Sequence, residues 1–287
     1  MSAGSVRPQR PPLRGLWGLV ALLALVLCVV LATVPGSTAA FTATVVNTAD
    51  TVATNPYFTC QAAVRADGAY FAHPLDDATP ANGSAARDAT LNNRPGTYRS
   101  TASHSALGVC PRDSGGGSTT FDGSSTYVSM PDAWNNPQTF STEVWFRTTS
   151  GQGVLVGFSS SLLGLLSLNY DRHLYLASSG QLVFGVGSGN TTITSPAVYT
   201  DGTWHQAVAT LGSTGMRLYV DGALVASNAS VTAAQSYTGY WRFAAGPLDG
   251  WSPASGGSYF RSQLAWGAAY PVTLSASDVA VHYAAGR

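Results

Sequence analysis

Short runs of alternating apolar and polar residues occur along most of the chain after residue 118, and turn residues separate them. Alternation with a period of two predicts half-buried β-strands rather than helices. Between Asp201 and Asn228 three such runs follow one another, joined by a Gly-Ser-Thr-Gly turn and by Asp221-Gly222. Asp-Gly between two strand-like runs favours a type I′ turn, which needs positive φ at both central residues. This segment therefore predicts an antiparallel meander of three strands.

Further short strands are expected on the same grounds, because Gly, Asn, Asp or Pro separates nearly every pair of apolar runs. These strands are predicted over residues 119–121, 126–130, 140–148, 153–158, 174–177, 181–186, 191–195, 240–244 and 259–269. One clear helix is predicted, at the C-terminus, with Ser275 as its N-cap, Asp278 three residues on and Gly286 at its end. Many short strands with turns between them are typical of a sandwich or barrel, so the predicted fold class is all-β.

The first 40 residues have the pattern of an export signal. Arg7, Arg10 and Arg14 precede an apolar run over residues 16–34, and small residues at 36–40 suit a signal peptidase. As a helix this run would measure about 28 Å, enough to span a bilayer. Cleavage after Ala40 and retention as a membrane anchor both remain open, and either predicts a secreted or cell-surface protein. Residues 1–40 are thus a signal peptide or signal anchor, 41–66 a lead-in segment, and 67–287 the β domain.

Export also bears on the three cysteines. Cys28 lies in the signal, which leaves Cys60 and Cys110 in an oxidising compartment. An even number of cysteines in an exported chain favours a disulfide, so we expect these two to pair. Two free buried thiols are the alternative.

The charge of the chain argues against a nucleic acid or an anionic membrane as partner. All 14 basic residues are arginines, and they balance 14 acidic residues. Three of the arginines lie in the first 40 residues, so 11 arginines against 14 acids leave the remainder at about −3. Such a surface offers no basic footprint for DNA, RNA or anionic lipid, and contact with a membrane is expected only through the N-terminal segment.

Catalytic motifs are missing from the sequence. A two-carboxylate glycosidase needs a second acid close to the first, but the chain has one glutamate, Glu143. On the predicted strand Glu143 shares a face with Trp145 and Arg147, neither of which supplies a carboxylate. No G-x-S-x-G, H-E-x-x-H or C-x-x-C motif is present. We expect no catalytic residues, and Glu143 should pair with an arginine or accept backbone hydrogen bonds.

Two stretches of the domain resemble a known family. W-H-Q-A-V-A-T-L over 204–211 followed by M-R-L-Y-V-D-G-A-L-V over 216–225, and the ending L-S-x-x-x-V-x-x-H-Y-x-A-G over 274–286, are similar to laminin-G-like domains of bacterial surface proteins. The resemblance implies a concanavalin A-like antiparallel β-sandwich jelly roll with a short C-terminal helix. It also implies that Trp204 packs in the core and that His205 bonds backbone. Residues 39–45 resemble the cleavage region of camelysin-type secreted proteins.

Calcium is the ion that the resemblance implies, with oxygen ligands at the rim of the sandwich. The candidates are Asp122, Asp171 and Asp249, each with an ordinary turn-capping role as the alternative.

Aromatic residues cluster late in the chain among Gly, Pro and Ser, and loop aromatics can stack on sugar rings. The candidate ligand contacts are Tyr240, Trp241 and Trp251, with core packing as the alternative. The predicted function is a non-catalytic binding module for a glycan or another matrix or surface component. A structural or assembly module is the second hypothesis, and a glycoside hydrolase is a remote third.

Overall fold

A computed structural model describes residues 59–187 and 191–287. The predicted signal segment and most of the lead-in segment lie outside the described residues. The elements belong to one compact unit, Ala53–Arg287. The helices are α1 (Cys60–Ala66) and α2 (Ala276–Gly286). The strands are β1 (Phe71–His73), β2 (Ala85–Ala86), β3 (Gly96–Arg99), β4 (Ser103–Ser105), β5 (Ser118–Asp122), β6 (Tyr127–Ser129), β7 (Trp134–Asn135), β8 (Phe140–Arg147), β9 (Val154–Ser159), β10 (Tyr170–Leu176), β11 (Gln181–Val186), β12 (Thr191–Val198), β13 (Trp204–Gly212), β14 (Gly215–Val220), β15 (Ala223–Asn228), β16 (Thr238–Phe243) and β17 (Arg261–Tyr270). Across these residues no helix is long and apolar enough to cross a membrane.

The strands form two antiparallel sheets that face each other, which confirms the predicted sandwich. Sheet I has the order β15-β14-β13-β8-β17-β5-β4, with β1 also paired to β17. Sheet II has the order β12-β11-β10-β9-β16-β6-β3-β2, with β7 paired to β16. The main core lies between the sheets and is rich in phenylalanine and aliphatic side chains.

Two smaller clusters cover outer faces. The first lies on sheet I, where Trp145, Tyr219 and Trp266 pack beneath the helices. The second lies on sheet II, where Trp251 packs on Tyr175 and its neighbours. Both sheets thus bury apolar side chains on both faces over part of their area.

The predicted meander is confirmed as β13, β14 and β15. Strand β13 pairs with β14 from Ala207 opposite Val220 to Gly212 opposite Gly215. At the next turn, Asp221 has φ 52° and Gly222 has φ 80°. Both central residues therefore have the positive φ that a type I′ turn requires.

The C-terminal helix is confirmed in its N-cap as well as in its position. The Ser275 side chain accepts a hydrogen bond from the Asp278 amide, and the Asp278 side chain accepts one from the Ser275 amide. This reciprocal capping box satisfies two amides that the first turn leaves without helical partners.

Helix α1 was not predicted, because much of its stabilisation comes from distant residues. Its N-cap, Thr59, accepts a hydrogen bond from the Ala62 amide. The Asp113 carboxylate accepts two more, from the amides of Cys60 at 2.8 Å and Gln61 at 3.0 Å. A seven-residue helix is too short to be stable alone, so tertiary contacts decide that it forms.

The predicted disulfide joins Cys60 to Cys110, with a Cα–Cα distance of 5.9 Å. It fastens the start of α1 to the segment that precedes β5. Both cysteines are buried in the outer core of sheet I, so the bond holds this cover on the sheet.

Candidate functional site

Glu143, the chain's one glutamate, lies in a buried polar network under α2. Its carboxylate contacts Nδ1 of His282 at 2.7 Å and accepts hydrogen bonds from Gln206 Nε2 at 2.7 Å and Tyr270 OH at 2.8 Å. Nε2 of His282 lies 2.8 Å from a carboxylate oxygen of Asp67. The expectation that Glu143 pairs with an arginine is therefore wrong. Helix α2 supplies a histidine instead, 139 residues further along the chain.

This network holds a buried ion pair. Burial opposes the charge on His282, but Glu143 and Asp67 outweigh it and raise the pKa of His282 to about 10. Burial likewise favours the neutral acid at Glu143, but the charge of His282 outweighs it and lowers the pKa of that carboxyl. The adjoining void has a volume of about 10 Å³, which is room for about one water molecule and no substrate.

An open cleft of about 480 Å³ lies at one end of sheet I, and we call it the His205 cleft. Its volume falls within the range of small-ligand sites. It is lined by Gly108, Val109, Pro111, Trp145, Thr203, Trp204, His205, Asp221, Tyr283, Gly286 and Arg287.

His205 is held between two carboxylates in this cleft. Its Nδ1 lies 2.7 Å from Asp221 Oδ2 and its Nε2 lies 3.2 Å from Asp201 Oδ1. The expectation that His205 forms a hydrogen bond with the backbone is therefore wrong. Asp221 forms one instead, since its carboxylate accepts the Gln206 amide at 2.9 Å. Burial opposes a charge on His205, but Asp221 and then Asp201 outweigh it and raise the pKa of His205 above its ordinary value.

Two partly exposed aromatic side chains, Trp204 and Tyr283, stand in the same cleft. The Tyr283 ring stacks on buried Trp145 with a centroid distance of 5.6 Å. The Arg287 guanidinium lies 5.3 Å from the Tyr283 ring centre and donates to its hydroxyl. The cleft thus combines apolar ring faces with charged donors and acceptors.

The wall opposite β13 is fixed by the disulfide and by the end of α2. The Cys110 amide donates to the Gly286 carbonyl at 2.9 Å. The Arg112 guanidinium donates to the carbonyls of Ala284 at 2.9 Å and Ala285 at 3.0 Å. Residues 108–111 are therefore held against the last turn of α2, which brings three distant segments of the chain around one space.

The predicted aromatic contacts do not form one exposed platform. Trp241 is fully buried between the sheets, at 0% exposure, and Trp251 is 4% exposed. Trp251 lies under its own loop, 5.1 Å from the ring of His173 and 6.5 Å from that of Tyr175. The expected exposure of these two tryptophans is wrong, because Trp241 packs in the main core between the sheets and Trp251 covers an apolar outer patch of sheet II. Tyr240 is partly exposed on β16.

The calcium candidates Asp122 and Asp171 use their oxygens inside the protein. Asp122 accepts the amides of Ser124, Ser125 and Thr126 at 2.8 to 3.0 Å. Burial opposes the charge of Asp122, but these amides outweigh it and hold the pKa of its carboxyl well below the usual range. Asp122 therefore caps a turn, which was the alternative to calcium binding.

Asp171 is fully buried and pairs with Arg172. Its Oδ2 also accepts the amides of Gly187 and Gln235, each at 2.9 Å. Asp249 is exposed on a loop. Within residues 59–187 and 191–287, the three aspartates do not appear together in any cluster with metal-ligand spacing. The carboxylate oxygens of Asp122 and Asp171 are therefore already bonded to protein amides and, for Asp171, to Arg172.

The sequence contained the residues of the cleft but not their proximity. Residues 108–111, 203–221 and 283–287 are separated by most of the domain. The W-H and D-G pairs could have indicated a contact between His205 and Asp221, since hairpin partners face each other. The approach of Tyr283 and Arg287 depends on where α2 packs.

Two facing antiparallel sheets with a capped C-terminal helix define a concanavalin A-like β-sandwich. The family model for the concanavalin A-like lectin/glucanases superfamily matches residues 122–280, and the chain belongs to that superfamily. A search of curated proteins returned no match.

Solved structures share the same fold at low sequence identity. Trypanosoma rangeli sialidase in complex with 2,3-difluorosialic acid has 14% identity and a TM-score of 0.51 over 75% of this chain and 32% of that chain. The binding domain of Paraclostridial Mosquitocidal Protein 1 has 14% identity and a TM-score of 0.51 over 76% of this chain and 52% of that chain. The chain thus spans about a third of the sialidase and half of the mosquitocidal binding domain.

Proposed function

We propose that the domain is a non-catalytic module that binds a glycan in the His205 cleft of a secreted or surface-anchored protein. The observation that carries the proposal is that one open cleft holds both aromatic rings and polar side chains. The rings are those of Trp204 and Tyr283, and the polar groups are those of His205, Asp221 and Arg287. The apolar face of a sugar stacks on an aromatic ring, and its hydroxyls bond to charged neighbours.

The absence of catalysis is proposed from the position of Glu143. A two-carboxylate glycosidase needs an acid of raised pKa beside the substrate. The pKa of Glu143 is instead lowered, and its carboxylate is buried and bonded to Gln206, Tyr270 and His282. A sugar ring cannot reach it through a void of about 10 Å³.

Export is proposed from the N-terminal sequence. Three arginines, the apolar run 16–34 and the small residues 36–40 support it. The Cys60–Cys110 disulfide is also what an oxidising compartment permits.

A glycan array tests the binding site. The wild-type chain should bind at least one glycan class, and Tyr283→Ala or Arg287→Ala should weaken binding to it. Removing an anchor side chain costs about 2 kcal/mol, or roughly 30-fold in Kd. The Arg287 side chain is exposed, so its loss leaves the core intact.

Tyr240→Ala is the matched control, because Tyr240 is partly exposed on β16 of sheet II and does not line the cleft. Its binding should equal that of the wild type. A chain that binds no glycan, or one whose binding is lost with Tyr240 and kept with Tyr283 and Arg287, would contradict the proposal.

A further inference from the structure

The connection between β9 and β10, residues 160–169, places leucine side chains in solvent, and we call it the leucine loop. Five of its ten residues are leucines, and none is charged. Leu163 is 52% exposed, Leu166 is 92% exposed and Leu168 is 95% exposed. A charge-free loop with three projecting leucines marks a contact surface, since exposed apolar patches of soluble domains commonly do.

The base of the loop is closed by its own serines. The Ser160 amide donates to the Asn169 carbonyl at 2.9 Å. The Ser167 hydroxyl donates to the Asn169 carbonyl at 2.8 Å and accepts the Ser161 amide at 3.2 Å. The loop is therefore a closed structure whose leucines have defined positions.

The middle of the loop is tied to sheet II. The guanidinium of buried Arg242 donates to the carbonyls of Ser161 and Gly164. The Gly164 amide donates to the Tyr127 hydroxyl at 3.0 Å. Backbone groups that are bonded inside the protein can enter hydrocarbon without losing hydrogen bonds to water, whereas unbonded ones would make entry costly.

We propose that the leucine loop inserts into the hydrocarbon of a zwitterionic lipid bilayer. A fluid hydrocarbon surrounds projecting side chains without a matching pocket. A specific protein interface buries about 800 Å² on each partner, which is more than three side chains on one loop supply. The charge of about −3 after residue 40, from 11 arginines and 14 acids, disfavours anionic headgroups.

The surroundings of the loop fit a membrane boundary. Tyr170 follows the loop and Tyr240 pairs with Ser159 at its start, and both tyrosines are partly exposed. Tyrosine is favoured at the headgroup level, where its ring is apolar and its hydroxyl is hydrated.

Insertion would orient the His205 cleft away from the lipid. Trp204 pairs with Arg147 at the end of β8, beside the connection 148–153. Strand β9 then runs back from Val154 to Ser159, where the leucine loop begins. The loop and the cleft thus lie at opposite ends of the sandwich.

Site-specific photo-cross-linking tests the proposal in the full chain reconstituted into phosphatidylcholine vesicles. Benzoyl-phenylalanine replaces Leu166 in one protein and Leu107 in the control; Leu107 is 57% exposed and adjoins the cleft. The probe at 166 should form lipid adducts about tenfold more often, because burying one leucine shifts its partition by about that factor. Equal lipid yields at the two positions, or adducts at 166 to a second copy of the chain, would overturn the proposal.

A second variant tests whether the leucines themselves drive insertion. Leu163→Ser with Leu168→Ser, in the chain with the probe at 166, should lower the lipid adduct about tenfold or more. The melting temperature should stay unchanged, because both side chains are exposed. An adduct yield that survives both substitutions would show that proximity alone accounts for the labelling and would refute insertion.

Discussion

Single residues in this domain show how burial decides the role of a side chain. Trp251 has the sequence context of an exposed loop aromatic, between Gly250 and Ser252. It nevertheless lies in an apolar cluster with Val154, Tyr175 and Val183 on sheet II. Its ring packs in a buried cluster, whereas the rings of Trp204 and Tyr283 in the His205 cleft are partly exposed.

Replacing Trp251 with alanine should lower the free energy of unfolding by about 3–5 kcal/mol, because the change leaves a large cavity in a packed cluster. Urea unfolding measures the loss. Leu168→Ala is the control, since that side chain is 95% exposed and its loss should change stability by less than about 0.5 kcal/mol. A Trp251→Ala protein as stable as the wild type would show that the ring is not part of the core.

Glu143→Gln should lower the free energy of unfolding by about 3 kcal/mol while the protein still folds, because it leaves the buried His282 cation with the partly exposed Asp67 as its remaining carboxylate partner. No glycan hydrolysis should appear in either protein. Adding His282→Gln should restore part of the stability, since the second change removes the uncompensated charge. Cleavage of a glycan by the wild type that Glu143→Gln abolishes would contradict the structural role.

Among the elements, α1 and α2 depend on tertiary contacts to different degrees. Helix α2 has 11 residues and its own capping box, so local sequence defines its start. Helix α1 has seven residues and receives two of its capping bonds from Asp113. The shorter helix therefore relies on the disulfide that holds Cys60 beside Cys110.

Replacing both Cys60 and Cys110 with serine should lower the free energy of unfolding by about 4 kcal/mol, because the bond closes a separation of 50 residues. Thermal unfolding of the two proteins gives the difference. Glycan binding should weaken as well, since the disulfide holds in place the segment of Gly108, Val109 and Pro111 that lines the cleft. Mass spectrometry of the intact protein provides the control, and free thiols in the native wild type would refute the prediction.

At the scale of the whole molecule, two buried ion-pair networks join distant parts of the described chain. His282 with Glu143 and Asp67 joins α2, sheet I and the end of α1. Arg172 with Asp171 joins sheet II to the chain around Gln235. Such pairs make the stability of the fold depend on pH.

Stability should fall as the pH rises from about 6.5 toward 10. The folded pKa of His282 is raised to about 10, so its contribution is complete below the unfolded value of 6.5 and is lost as pH rises through the folded value. The loss of one proton from His282 lowers the free energy of unfolding by at most about 1.4 kcal/mol per pH unit. Urea unfolding from pH 6.5 to 10 tests this, with His282→Gln as the control that should show a flatter profile. Parallel profiles for the two proteins would contradict it.

The strands were the most predictable part of the fold. The apolar run over 181–186, bounded by turn residues, predicted β11 with its observed bounds, and the Asp221-Gly222 turn was predicted with its backbone conformation. The short strands β2, β3 and β4 were not predicted; they form by pairing with β3, β6 and β5, respectively. Local periodicity cannot reveal a strand of two to four residues.

The sequence by itself determined the sandwich, the meander, the cap of α2 and the partners of the disulfide. The meander and the cap of α2 depend on neighbouring residues, and the disulfide depends on a count of cysteines. The strand pattern left a sandwich and a barrel open, and the resemblance to laminin-G-like domains selected the sandwich. Only the tertiary structure decided that Glu143 pairs with His282, that Trp241 and Trp251 are buried, and that Trp204, Asp221 and Tyr283 line one cleft. The physical reason is that burial and long-range contacts depend on how sheets and helices pack, and a pattern along the chain records only which residues prefer to be buried.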